Sequence, residues 1–129
     1  MIKLLTLLLV LFPALASAEI RVFTCEPEWA AVAEELGGDL VDAYAATTPF
    51  QDPHYIQARP SLIAKVRQAD LVVCSGAQLE IGWLPALLQK ANNRSIMPGT
   101  RGYLEACALV LRLDATANVD RAQGDIHPL

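Results

Sequence analysis

An α/β fold, a parallel sheet flanked by helices, is predicted by three observations. Strand-like and helix-like stretches alternate along the chain, and Gly or Pro punctuates the changes between them. The run Leu71–Cys74 is unbroken in apolar character, as in a strand covered on both faces.

Each element has its own local cause. Ile20 to Cys25 is short and β-branched and reads as a strand. Pro27 then sits where proline is favoured, in the first turn of a helix; Trp29, Val32, Ala33 and Leu36 recur at helical spacing until Gly37-Gly38 stops it. Asp39 to Ala46 reads as a second strand. Pro60 to Gln68, with Leu62, Ile63 and Val66 on one face, is a short helix, and Leu71–Cys74 is the buried strand. Trp83 to Ala91 is a further helix ended by Asn92-Asn93, and Tyr103 to Leu113 is apolar enough for a last strand. No internal repeat or low-complexity stretch is visible.

The first eighteen residues are set apart as a signal peptide. Lys3 supplies the positive region, Leu4 to Phe12 the apolar core, and Ala16-Ser17-Ala18 an A-x-A cleavage site. No cysteine follows that site, so a lipid anchor is not expected, and the segment is too short to span a bilayer. Cleavage leaves residues 19–129, enough for one domain. Lys3 is the leader's one basic residue, so ten Lys and Arg fall to nine against 14 Asp and Glu, a net charge of −5. That balance, with no basic stripe, excludes a nucleic-acid footprint.

Within the loop Thr47–Ser61, Asp52-Pro53-His54 carries the chemistry. Proline fixes its own φ and biases Asp52 toward extended backbone, so His54 leaves a stiff turn in a defined direction. A rigidly aimed imidazole suits a metal ion, and loops at the strand ends of α/β units are where ligands bind. The bland reading of one histidine in a polar loop is plain exposure to solvent.

Cysteine usage leaves two readings open. Cys25 and Cys74 end strands that are neighbours in a parallel sheet, so a disulfide between them is geometrically open, leaving Cys107 as a thiol. The alternative is a pair of buried thiols acting as small hydrophobes. Zinc held by the cysteines is disfavoured, because no C-x-x-C spacing exists.

Other residues draw structural readings. Glu26 and Glu28 favour the start of the first helix, and Gly76-x-x-Leu79-Glu80 marks a helix entrance with a carboxylate near its positive end, or one that approaches a cleft. Trp29 and Trp83 belong to the core, and Asp70 ends a helix or serves in a turn. Two rival functions stand beside metal binding, an exported α/β hydrolase and a thiol redox domain. Against the first, Ser75-Gly76 follows a buried strand but Val73 stands where the elbow G-x-S-x-G needs glycine. The absence of C-x-x-C opposes the second.

Taken in order, Glu26-Pro27, Gly37-Gly38-Asp39, Asp52-Pro53-His54, Arg59-Pro60-Ser61, Ala69-Asp70-Leu71-Val72-Val73 and Gly76-x-x-Leu79-Glu80 resemble the periplasmic solute-binding proteins of zinc and manganese ABC importers. The resemblance runs over essentially all of residues 20–129. It implies a two-lobed protein, not an enzyme, that captures zinc or manganese between its lobes as a monomer and passes it to a membrane permease. On that resemblance residues 19–129 are an N-terminal lobe, incomplete at its C-terminus, and His54 is a direct metal ligand. The family's next ligand sits in a segment like Gly-Asp-x-His-Pro-x-Gly-Asn-Pro-His. This chain stops at Leu129, just after His127, which the resemblance leaves as a flanking residue.

Overall fold

The computed structural model describes residues 18–111. In chain order it contains β1 (Ile20–Thr24), α1 (Pro27–Gly37), β2 (Val41–Ala45), α2 (Pro60–Gln68), β3 (Leu71–Cys74), α3 (Leu84–Ala91) and β4 (Tyr103–Glu105). The signal peptide and His127 lie outside the described residues, apart from Ala18 itself. No helix among the described residues is long and apolar enough to cross a membrane.

The four strands form one parallel sheet in the order β2-β1-β3-β4. β1 is therefore central: Phe23 pairs with Tyr44 on one side and Val72 on the other, and the Phe23 and Tyr44 rings stack at 5.9 Å. The chain leaves β1 toward β2 and later returns to its other side as β3. The carboxyl ends of β1 and β3 thus flank a topological switch point, the place where open α/β sheets bind ligands.

The helices cover the sheet unequally. α2 buries Leu62 and Val66, and α3 buries Leu84, Leu87, Leu88 and Ala91; with Phe23, Val72 and Ile96 they form the core. Asn92, in the left-handed conformation, closes α3. α1 packs on β1 and β2 but buries no residue, and Val32 and Leu36 stay 46% and 83% exposed.

α2 and β3 have the bounds the sequence predicts; β1 and β2 each end one residue earlier, at Thr24 and Ala45, and three further boundaries differ. Residues Gly38–Leu40 form a 3-10 turn instead of strand, because Gly38 at φ 51° reverses the chain before it can extend, so β2 begins at Val41. α3 begins one residue later than predicted, at Leu84. The last strand stops at Glu105, where Ala106–Leu109 coil into a 3-10 turn and the Cys107 N–H donates to the Ser75 carbonyl at 2.9 Å. Apolar content there was not a sign of extended backbone: Cys107 is buried, but Leu109, Val110 and Leu111 are exposed. Asp70 has a definite partner: its carboxylate accepts from the Arg21 backbone N–H and guanidinium, each at 3.0 Å, tying the starts of β1 and β3.

Candidate metal centre

All four strands point their carboxyl ends to one edge, and the loops there carry the polar residues of interest. The loop after β2 is rooted by Thr47, whose N–H and Oγ1 both donate to the Cys25 carbonyl, at 3.2 and 2.9 Å. Further out, Asp52 Oδ1 accepts from the His54 backbone N–H at 2.9 Å and meets Nδ1 of the same residue at 2.5 Å. This double contact assigns the ring proton to Nδ1 and puts the basic lone pair on Nε2. A carboxylate behind the far nitrogen is the arrangement that orients metal-binding imidazoles and raises their basicity.

The loop is also clamped from outside. Trp83 Nε1 donates to the Pro53 carbonyl at 2.7 Å, so the residue preceding His54 is pinned to the root of α3. The His54 side chain remains 24% exposed, aimed but reachable. Trp83 is buried as expected, and its bond to the loop is a role that hydrophobic spacing could not disclose.

Between β1 and β3 lies a second group. Cys25 and Cys74 are joined in a disulfide with a Cα separation of 4.8 Å, so of the two readings the paired one holds; Cys107, buried, stays outside it. Glu26 occupies the N-cap position of α1, but its side chain does not cap the helix: Oε2 accepts from the Ser75 N–H at 3.2 Å and from Ser75 Oγ at 3.0 Å, buried inside the protein. Glu80 is not at a helix entrance either, since α3 begins four residues later. It is buried, and both its oxygens accept from the Gly76 N–H, at 3.3 and 3.2 Å. Glu28 does stand in the first turn of α1. Trp29 is half-buried instead of core, and its Nε1 donates to Ser75 Oγ at 2.8 Å.

Burial, then the charge of Glu80, then a hydrogen bond to it push the Glu26 carboxyl up to about 8. Burial likewise raises Glu80, against the hydrogen bonds from Glu26 and the Gly76 N–H. The two carboxyls therefore share a proton at neutral pH, since two adjacent buried anions cannot both ionise. The turn beyond β3 is itself strained, with Gly76, Ala77 and Gln78 at φ 77°, 49° and 72°. Gly76 is required twice over, because a Cβ there would stand 3.0 Å from Glu105 Cβ.

This geometry disposes of the rival functions. Ser75 is buried, with Oγ held between Glu26 and Trp29, so no nucleophile is presented to a substrate. The cysteines are sealed in the sheet edge, unlike the accessible pair of a thiol oxidoreductase. His54 is the one histidine among the described residues.

Comparison with known proteins gives the family. Residues 22–127 match the family model described as zinc-uptake complex component A, periplasmic. The chain is 30% identical over 80 residues to a metal ABC transporter substrate-binding lipoprotein of Streptococcus parasanguinis, covering 60% of this chain and 26% of the relative. Identity and coverage are the same for a manganese ABC transporter substrate-binding lipoprotein of Streptococcus pneumoniae. The chain thus spans about a quarter of the length of these curated relatives. Among solved structures, a crystal structure of ZnuA superposes with TM-score 0.52 at 28% identity, over 57% of this chain and 28% of that one. A manganese-bound periplasmic metal binding protein from Candidatus Liberibacter asiaticus shares the fold, with TM-score 0.61 at 18% identity over 85% of this chain and 36% of that one. The chain belongs to the family of the periplasmic zinc-uptake complex component A.

Proposed function

We propose that this chain is the N-terminal lobe of a protein that captures zinc or manganese in the periplasm and hands it to the membrane permease of an ABC importer, with His54 as a metal ligand. The observation that carries the reading is the Asp52–His54 contact on a loop clamped by Trp83, at the carboxyl edge of a parallel sheet. The names of the relatives support the cargo class, zinc or manganese. Neutral imidazole is the commonest zinc ligand and suits manganese less tightly, so zinc is the favoured ion. The chain is exported as a monomer, with the leader removed after Ala18.

One imidazole holds an ion weakly. A zinc site takes about four ligands, so full affinity needs donors beyond the described residues. The test is nitrogen NMR of the imidazole during zinc titration of the chain. The proposal predicts that Nε2 of His54 shifts on zinc addition while Nδ1 keeps its proton. An unchanged His54 spectrum at saturating zinc, or coordination through Nδ1, would overturn it.

A further inference from the structure

The group at the switch point has the makings of a second site, independent of His54. Cys25 Sγ, Cys74 Sγ and a Glu80 carboxylate oxygen lie within 4.8 Å of one another, all buried. Ligands of a tetrahedral zinc stand about 3.6 Å apart, given metal–sulfur and metal–oxygen distances of about 2.3 and 2.1 Å. The three donors therefore need only small side-chain rotations once the sulfurs are no longer bonded to each other. C-x-x-C spacing, whose absence disfavoured zinc at the cysteines, is unnecessary here, because the sheet brings the ends of β1 and β3 together.

One further feature points to a ligand. Gly76 and Glu80 line a cavity of about 360 Å³, walled by Leu84, Met97 and Tyr103. The Gly76 N–H already holds the Glu80 carboxylate in place, as hydrogen-bonded carboxylate ligands generally are.

The geometry points to a redox-gated site for a thiophilic divalent cation such as zinc or cadmium, formed by Cys25, Cys74 and Glu80 when the disulfide is reduced. The disulfide is buried, so a dithiol donor reaches it only on local opening of the β1 and β3 ends; it then passes two electrons and two protons to the Cys25–Cys74 bond and leaves as its own disulfide. The two thiols lose their protons as the metal binds. Exchange with a disulfide donor, which takes the two electrons and leaves as two thiolates, restores the cross-link and expels the ion.

Cadmium titration of the full chain tests this, before and after reduction by a phosphine, which supplies the same electrons without adding thiolates. Reduced chain is expected to bind one cadmium and to gain thiolate-to-cadmium charge-transfer absorption; oxidised chain is expected to show none. Cys25→Ser and Cys74→Ser each remove the two-thiolate signal. Glu80→Gln weakens binding by about tenfold or more, whereas His54→Ala leaves signal and affinity unchanged. Circular dichroism accompanies each titration: a reduced chain that unfolds must regain native signal with cadmium. Absence of the absorption in reduced chain, indifference to Glu80→Gln, dependence on His54, or cadmium binding that leaves the chain unfolded would overturn the inference.

Discussion

The His54 loop and the cluster between β1 and β3 share one edge of the sheet and are held by the same segment, residues 76–83, yet they are built on opposite principles. The loop has hardly any core of its own. It is positioned by Asp52 behind the ring and by Trp83 on the Pro53 carbonyl, and it keeps its histidine near solvent. The cluster is buried: a disulfide, two carboxyls and Ser75 are packed between the strand ends, and of these Glu80 alone lines a cavity. An exchangeable metal needs an aimed but accessible donor, whereas buried acids need every proton and partner accounted for. The contrast predicts that perturbing the cluster changes stability, and that perturbing the loop changes binding.

The disulfide should show the largest effect. It closes a loop of 49 residues, for which the chain-entropy model gives about 4 kcal/mol. Chemical denaturation with and without reductant is expected to show a loss of that size. An unchanged midpoint would mean that the cluster is held by packing alone.

Glu26 comes next. Its carboxyl titrates near 8 in the folded chain against an ordinary value of 4.5, so the folded state binds the proton more tightly. That stability is full below 4.5 and is lost as pH rises through about 8. At 1.36 kcal/mol per pK unit, discounted for solvent and for the proton shared with Glu80, the loss between pH 5 and 9 is on the order of 2 kcal/mol. Glu26→Gln should flatten this slope in thermal melts of the oxidised chain; an equally steep slope in the variant would assign the titration elsewhere.

Trp83→Phe keeps the buried ring and deletes the bond to Pro53. About 1 kcal/mol or less of stability is expected to go, while amide exchange at His54 and Tyr55 quickens with the core unchanged. Slower or unaltered exchange there would show that the clamp does not hold the loop. Asp70→Asn, on the surface, should have the smallest effect. The Arg21 hydrogen bonds hold the Asp70 carboxyl below its usual range, so its stabilisation is present at neutral pH and lost on acidification. The variant is expected to melt slightly lower at pH 7 and to match the parent in strong acid.

Much of this architecture was legible in the residues. Pro27, Pro60 and the run Leu71–Cys74 mark α1, α2 and β3 because proline and unbroken apolar character act locally. The stiffness at Asp52-Pro53 likewise announced His54. Long-range partners were not legible. Glu26 and Glu80 look like helix-start acids; only the β1–β3 pairing brings Glu26 to Ser75, 49 residues away, while the positive-φ turn at residues 76–78 folds Glu80 back onto Gly76. Trp29 shows the converse, since helical spacing suggested core while α1 has no second layer to bury it. The apolar run from Tyr103 failed as a strand because a backbone bond from Cys107 to Ser75 bends it after three residues.

Calorimetry of zinc binding to the oxidised chain, beside its His54→Ala variant, tests the central claim most directly. With the disulfide closed the cluster contributes no thiolate, so the loop is read alone. Weak, readily exchanging zinc binding that His54→Ala abolishes is the predicted result. Submicromolar binding that survives His54→Ala would place the metal elsewhere and contradict the account.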